Sequence, residues 1–101
     1  MSKSLQATGT LYPLFVLTGP EVSKTVLSRL TPLCAGIIPG AMIQNTHEGH
    51  TASWTQSAYL KLNIWSLTMF EQIVYLDADT LIVESVDDVS DCSPSLHVLY
   101  I

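Results

Sequence analysis

Short apolar runs, separated by turn residues, mark out the elements in the first half of the chain. The run Leu14–Leu17 ends at the turn residues 18–20, which predicts a buried strand. Ser23 then offers an N-cap for a helix whose apolar positions recur at helical spacing, and Pro32 ends that helix. Around residues 37–38 the pattern predicts a further short strand. This half of the chain is therefore expected to form a strand, a helix and a strand.

The second half of the chain continues the same alternation. Gln44–Gln56 is the most polar stretch and predicts a loop, whereas Ser57–Phe70 predicts a helix that is apolar around most of its circumference. Burial on more than one side is expected for such a helix. Ile73–Leu76 is an apolar run typical of a strand, and Thr80–Val83 is a third run of that kind. Apolar strands with crossover helices predict an α/β domain whose parallel sheet is covered on both faces.

Composition and charge narrow the classes of protein that the chain can belong to. Hydrophobic residues make up 48% of the 101 positions, which excludes an intrinsically disordered segment. The formal net charge of −5 does not provide the basic face that nucleic-acid binding needs. The chain contains no apolar run of about 18 residues, so it has no membrane span. Its N-terminus resembles no secretory signal, so we expect a cytoplasmic location.

Asp77 and Asp79 form the sharpest candidate site. They follow the apolar run Ile73–Leu76, and ligands of open α/β sheets bind beyond the carboxyl ends of the strands. If the backbone stays extended there, both carboxylates point to the same side. A hard divalent cation such as Mg²⁺ or Mn²⁺ between them would hold a diphosphate. Two alternatives stay open: a chance Asp-x-Asp turn, and a phosphatase motif of the haloacid dehalogenase type, which Leu81 at the fifth position does not fit.

Lys61 is the second candidate. On a helix over 57–70 it shares a narrow stripe with Ser57 and Thr68. From there its ammonium group would reach the acids and donate to phosphate or sugar oxygens. Alternatively, it snorkels to water. The residues alone favour the solvated lysine.

The remaining polar and reactive residues are expected to have structural or surface roles. The stretch from His47 to His50 is one residue short of the His-Glu-x-x-His zinc pattern and lies in a polar loop. Trp54 is expected to anchor this loop on the core, with part of a substrate wall as the alternative. Cys34 is expected to be a small core residue rather than a nucleophile. Two cysteines are too few for a disulfide framework or a four-thiolate zinc site. A solvated acidic turn is expected from Asp87, Asp88 and Asp91.

Two blocks of sequence, taken together, indicate a protein family more specifically than the Asp-x-Asp motif does alone. Leu60–Thr68 has the sequence Leu-Lys-Leu-Asn-Ile-Trp-Ser-Leu-Thr, and Val74–Leu81 has the sequence Val-Tyr-Leu-Asp-Ala-Asp-Thr-Leu. Together they resemble glycosyltransferase family 8, the glycogenin-like enzymes. The resemblance implies a GT-A fold, which is a Rossmann-like nucleotide-sugar-binding sheet with flanking helices. It also implies a metal-dependent, retaining transfer of a hexosyl group from a UDP-sugar, with UDP-glucose as one candidate donor.

The resemblance also implies a role for particular residues. By position, Asp77 and Asp79 match the acids that bind Mn²⁺ (or Mg²⁺) and contact the nucleotide. Ala78 is implied to lie in the nucleotide site between them. Lys61 matches the lysine near the donor sugar and diphosphate, which makes it the candidate catalytic residue. This match reverses the preference for a solvated lysine.

The resemblance covers residues 4–90, and the sequence departs from the family pattern on both sides. We expect residues 1–101 to form a partial glycosyltransferase domain that lacks the first strand and the C-terminal half, with residues 91–101 as a divergent tail. The implied partners are a nucleotide-sugar donor and a carbohydrate, inositol or protein acceptor. The alternative is a truncated, non-catalytic piece that acts only by binding or as structure. Even if the chain belongs to this family, we expect the isolated chain to have poor activity.

Overall fold

The computed structural model of the chain describes residues 1–43, 59–90 and 96–100. The α-helices assigned there are α1 (Ser2–Ala7) and α2 (Lys24–Leu30), and the strands are β1 (Leu14–Thr18), β2 (Gly36–Pro39), β3 (Gln72–Leu76) and β4 (Leu96–Tyr100). Short 3₁₀ helices occupy Thr31–Leu33, Lys61–Ser66 and Asp87–Ser90. None of the helices within these ranges is long and apolar enough to cross a membrane.

Local sequence signals account for β1, α2 and β2. The predicted N-cap is present, since the amide of Val26 donates to Ser23 Oγ at 3.4 Å. At the other end, Pro32 lies in the 3₁₀ helix that directly follows α2, as expected for a residue that has no amide hydrogen to continue an α-helix. The predicted strand, helix and strand of this half of the chain are confirmed.

The four strands that the structure describes form one parallel sheet in the order β2-β1-β4-β3. β1 pairs with β2 on one side and with β4 on the other, and β3 pairs with β4 along its whole length. Because all pairings are parallel, the carboxyl ends of the strands lie at one edge of the sheet. The predicted α/β class with a parallel sheet is confirmed. The candidate acids Asp77 and Asp79 follow β3 at this carboxyl edge.

The position of β4 was not predicted from the sequence. Leu96–Tyr100 lies within the residues expected to form a divergent tail, and it inserts between β1 and β3. Its leucine, valine and tyrosine content is typical of a strand. Its place in the sheet, however, depends on pairing with two strands that are distant in the sequence.

β1 packs on both of its faces because its side chains alternate. Val16 joins Leu5 of α1 in one buried cluster. Leu17 joins Leu60 and Leu67 in a second buried cluster. The predicted coverage of both sheet faces is therefore confirmed for β1. The second cluster matters most for the site, since Leu60 is the neighbour of the candidate lysine.

The helix predicted over Ser57–Phe70 ends earlier than expected and is mostly a 3₁₀ helix in the described residues. Within the described residues it runs as α-helix at 59–60 and as 3₁₀ helix over Lys61–Ser66. The prediction that this helix is buried on several sides is wrong, since Leu62 is 44% and Trp65 is 83% exposed. A 3₁₀ helix has three residues per turn, so a stripe calculated at 3.6 residues per turn does not describe its faces.

The third apolar run, Thr80–Val83, is not a strand. The amide of Ile82 donates to Ser4 Oγ at 3.1 Å, so this backbone is tied to α1. Leu81 and Val83 are 73% and 80% exposed. The strand prediction is therefore wrong here, because an apolar run forms a strand only where a neighbouring strand accepts it.

Candidate functional site

Asp77 and Asp79 lie on a tight turn directly after β3. The amide of Thr80 donates to the Asp77 carbonyl oxygen at 3.0 Å, which closes a four-residue turn over 77–80. Both acids are exposed. The extended backbone assumed from the sequence is wrong at this point, and so is the strand-alternation reason for placing both carboxylates on one side. The turn nevertheless keeps both acids at the carboxyl edge of the sheet.

Lys61 reaches the first of these acids. Its Nζ atom lies 2.9 Å from Asp77 Oδ1, with the two side chains 44% and 54% exposed. The structure thus favours the reaching lysine over the solvated one. An exposed ion pair contributes little to stability. The contact is therefore more informative about charge placement, since it puts a positive group at the end of β3.

Tyr75 completes this arrangement, and it was not predicted from the sequence. Its hydroxyl donates to Asp77 Oδ1, the same oxygen that Lys61 contacts. Lys61 Nζ also lies 4.9 Å from the centroid of the Tyr75 ring, where the aromatic face attracts a cation. The sequence signal that could have identified Tyr75 is its two-residue spacing from Asp77, because strand residues two positions apart lie on the same side. We refer to Lys61, Tyr75 and Asp77 as the Asp77 group.

Hydrogen bonds and partial burial move the pKa values of the Asp77 group further from neutrality. The Tyr75 hydroxyl, and after it the Lys61 ammonium, lower the pKa of Asp77, because donors to a carboxylate favour its charged form. The bond to Asp77 raises the pKa of Lys61. Partial burial raises the pKa of Tyr75, and its bond to Asp77 raises it further. At neutral pH the group therefore contains a carboxylate, an ammonium group and a neutral phenol.

A cavity of about 290 Å³ lies beside the acidic turn. Ala78 contributes to its lining, together with Thr18 and Gly19 at the carboxyl end of β1. Val26 and Leu30 of α2 line it as well. Ala78 is thus brought to a concave surface at the carboxyl edge of the sheet, which is where ligands of open α/β sheets bind.

The residues around Lys61 are fixed to the segment that follows β2. Asn63 Nδ2 donates to the carbonyl oxygen of Ala41 at 3.0 Å, and Asn63 Oδ1 accepts from the Ala41 amide at 3.0 Å. Leu60 is 4% exposed. It packs so closely on Gly40 that a Cβ atom there would lie 2.5 Å from Leu60 Cδ1. Lys61 therefore projects from a short helix that is anchored on both sides of it.

The donor set of the turn suits a hard divalent cation that also binds phosphate. Within the part of the chain that the structure describes, no group of three or more His, Cys, Asp or Glu side chains is placed to hold a metal ion. The turn does offer the exposed carboxylates of Asp77 and Asp79. Mg²⁺ commonly uses one or two carboxylates together with water and substrate phosphates, and Mn²⁺ also prefers oxygen ligands. The residues present therefore fit a cation that accompanies a bound diphosphate.

The other candidate residues lie apart from the Asp77 group. Cys34 packs against the cluster of Leu5 and Val16, and burial raises its pKa, in agreement with a core role. Asp87 is not simply solvated, since it accepts from Thr10 Oγ1 at 2.5 Å and from the Leu11 amide at 2.9 Å. Several residues named from the sequence lie outside the described ranges: His47, Glu48, Gly49, His50, Trp54, Ser57, Asp91 and Cys92. The loop predicted over Gln44–Gln56 lies outside them as well.

Comparisons with known proteins agree on one family. Residues 9–101 match the sequence model described as glycosyl transferase family 8. A glycogenin of Neurospora crassa is 32% identical over 96 residues, which cover 90% of this chain and 14% of that protein. Inositol phosphorylceramide glucuronosyltransferase 1 of Arabidopsis thaliana is 30% identical over 94 residues, 92% of this chain and 17% of that protein. Galactinol synthase 2 of Ajuga reptans is 29% identical over 94 residues, 90% of this chain and 32% of that protein.

The chain spans only part of the length of these relatives, from 14% of the glycogenin to 32% of the galactinol synthase. The region matched to the family includes all four strands and the acidic turn. No solved structure gives a significant match.

Proposed function

The chain belongs to glycosyltransferase family 8, and we propose that it carries the donor site of an enzyme that transfers a hexosyl group from a UDP-sugar to an acceptor. The transfer would use Mn²⁺ or Mg²⁺ and retain the configuration of the anomeric carbon. The observation that carries this proposal is the contact of 2.9 Å between Lys61 Nζ and Asp77 Oδ1, on the turn that also contains Asp79. Acids and a cationic side chain at the carboxyl edge of a parallel sheet suit a cation-bound diphosphate.

Each residue has a defined task in this proposal. Asp77 and Asp79 would hold the cation through carboxylate oxygens, and Ala78 would contribute to the nucleotide site beside the cavity. When bound, the cation would supply positive charge to the diphosphate oxygens. Lys61 is the catalytic residue, since its ammonium group donates to the diphosphate where negative charge develops as the bond to the sugar breaks. Its contact with Asp77 places that charge at the turn before the donor arrives.

The topology supports the wider proposal of a GT-A fold. In the described residues, α2 connects the adjacent parallel strands β1 and β2, which is a βαβ unit of the kind that builds Rossmann-like sheets. We propose that residues 1–101 are part of such a domain. A cytoplasmic location, expected from the N-terminal sequence, stays a prediction of the same proposal.

The acceptor is proposed by class. The relatives' names specify a glucuronosyltransferase of inositol phosphorylceramide and a synthase of galactinol, and glycogenin is a further relative. A hydroxyl group of a carbohydrate, an inositol or a protein is the acceptor class we propose for this chain. UDP-glucose is the first donor to test.

Calorimetry of the 101-residue chain with UDP, with and without Mn²⁺, tests the donor site. UDP is expected to bind in a Mn²⁺-dependent manner, and Asp79→Ala to weaken this binding by about tenfold or more. Asp88→Ala removes an exposed acid of the 3₁₀ helix Asp87–Ser90 and is the matched control, with binding equal to wild type. Unchanged Mn²⁺-dependent binding in Asp79→Ala would exclude Asp79 from the site. Binding that does not depend on Mn²⁺ would contradict the metal dependence.

Turnover separates the transferase from the non-catalytic alternative. UDP release from UDP-glucose is measured with Mn²⁺ and candidate acceptors. Lys61→Met is expected to lower kcat by about 10²-fold or more, as the loss of a charge that stabilises the transition state does. A wild-type chain that binds UDP with Mn²⁺ but releases none from UDP-glucose would act as a binding piece only.

A further inference from the structure

We propose that Tyr75 is a positioning residue of the cation site, whose hydroxyl keeps Asp77 in place when Lys61 leaves it for the substrate phosphate. The inference rests on the proposed function, because it assigns Asp77 to the cation and Lys61 to the diphosphate. It goes further by giving a task to a residue outside the acidic turn.

Both donors of the Asp77 group converge on one carboxylate oxygen. The Tyr75 hydroxyl and the Lys61 ammonium each donate to Asp77 Oδ1. Among the described residues, no side chain or amide donates to Asp77 Oδ2. The carboxylate is thus oriented through Oδ1, and Oδ2 is the oxygen left for a cation.

The two donors differ in mobility. Tyr75 belongs to β3, whose backbone is paired with β4 along its length, and a tyrosine ring is placed by two torsions. Lys61 has a long, flexible side chain with a point charge at its end, and this side chain is 44% exposed. Lys61 can therefore turn from Asp77 to a phosphate oxygen, whereas the Tyr75 hydroxyl stays beside Asp77.

The two donors also differ in charge, and this difference makes the inference testable. The ammonium group of Lys61 neutralises the carboxylate and therefore competes with a divalent cation for Asp77. The neutral hydroxyl of Tyr75 orients the carboxylate and leaves its full negative charge. Removing Lys61 should therefore strengthen cation binding in the absence of nucleotide, whereas removing the Tyr75 hydroxyl should weaken it.

The experiment is a Mn²⁺ titration of the 101-residue chain without nucleotide, followed by the electron paramagnetic resonance signal of free Mn²⁺. Tyr75→Phe is expected to weaken Mn²⁺ binding by about three- to tenfold. Loss of a group that orients a metal ligand typically costs about 10- to 100-fold, and the effect here is expected to be at or below the lower end of that range. Lys61→Met is expected to tighten it by about two- to fivefold, the equivalent of one exposed ion pair. Tyr12→Phe changes a tyrosine before the amino end of β1 and is the control, with wild-type affinity. Circular dichroism confirms the fold of each variant.

The outcomes separate this inference from the proposed function. If Asp77→Asn loses Mn²⁺ binding but Tyr75→Phe binds like wild type, the positioning role is overturned and the donor site stands. If the wild-type chain does not bind Mn²⁺, or Asp77→Asn leaves its affinity unchanged, the proposed cation site itself is overturned. A loss in Lys61→Met of the same size as in Tyr75→Phe would contradict the division of labour between the two donors.

A second measurement needs no substitution of Tyr75. With diamagnetic Mg²⁺ and UDP, the ¹³C signal of the Tyr75 carbon that bears the hydroxyl is expected to keep its position, while the Lys61 side-chain signals move as its ammonium group passes from Asp77 to the phosphate. Movement of the Tyr75 signal to that of a solvated phenol as Mg²⁺ binds would overturn the inference.

Discussion

At the scale of single residues, Asp77 shows how hydrogen bonds control a carboxylate that is not buried. Its side chain is 54% exposed, so desolvation does not dominate its titration. The pKa of Asp77 is lowered instead by the hydroxyl of Tyr75 first and by Lys61 second. A carboxylate held in this way stays ionised to lower pH than an ordinary aspartate.

We expect Tyr75→Phe to raise the pKa of Asp77 toward the ordinary value for aspartate. The reason is that the largest cause of the lowered value is the hydrogen bond that this substitution removes. A pH titration of the Asp77 carboxyl ¹³C signal measures the change. Because the folded-state pKa is lowered, the small stabilisation from these bonds is present above the ordinary pKa of aspartate and is lost as the pH falls through the lowered value.

The control for this titration is Tyr12→Phe, which changes a tyrosine that packs against the cluster of Leu5, Leu14 and Val16. It should leave the Asp77 curve unchanged. An Asp77 carboxyl that titrates identically in Tyr75→Phe and wild type would show that the hydroxyl does not hold the carboxylate in solution.

At the scale of elements, Asn63 joins the 3₁₀ helix Lys61–Ser66 to the segment after β2. Its amide group pairs with both backbone groups of Ala41. We expect Asn63→Ala to lower the free energy of unfolding by about 0.5–1.5 kcal/mol, since it removes hydrogen bonds to exposed backbone groups that water then solvates. Faster hydrogen exchange of the Ala41 amide, measured by NMR, would show that the loss is local to this contact.

The matched control is Ser66→Ala in the same 3₁₀ helix. Ser66 Oγ donates only to the carbonyl oxygen of Asn63, three residues earlier, and is exposed. Its loss should leave the exchange of the Ala41 amide unchanged. Equal exchange rates in Asn63→Ala and wild type would contradict the anchoring role of Asn63.

The elements that the sequence predicts well are those whose signals are local. β1, α2, β2 and β3 follow from apolar runs, an N-cap and a proline, all within a few residues of the element. Thr80–Val83 and Leu96–Tyr100 are both apolar, yet only the second is a strand. Their difference lies in the available partners, which are distant in the sequence, so a local pattern does not distinguish them.

The candidate site likewise contains residues that the sequence indicates and features that it does not. Spacing and resemblance identify Lys61, Asp77 and Asp79 as residues of interest, and the structure joins Lys61 to Asp77. The turn over 77–80 was not anticipated, because the alternation rule assumes an extended backbone. A tyrosine in an apolar run indicates a core side chain, so the sequence does not single out Tyr75. Which atom its hydroxyl contacts is set by packing.

At the scale of the whole molecule, β1 joins the two buried clusters that hold the described residues together. Leu5, Leu14 and Val16 form the cluster on one face, and Leu17, Leu60 and Leu67 form the cluster on the other. The second cluster supports the 3₁₀ helix that begins at Lys61, because Leu60 of this cluster directly precedes Lys61. The stability of the core and the placement of Lys61 therefore depend on the same side chains.

We expect Leu17→Ala and Leu5→Ala each to lower the free energy of unfolding by about 2–5 kcal/mol, because each empties a fully buried position. Since both clusters share β1, each variant should shift one cooperative urea transition, measured by circular dichroism, to lower denaturant without splitting it. Leu81→Ala, at a position that is 73% exposed, is the control and should change the stability by less than about 0.5 kcal/mol. A curve with two steps in Leu5→Ala would mean that the two faces unfold separately. In that case the face that supports Lys61 would be stable independently of α1.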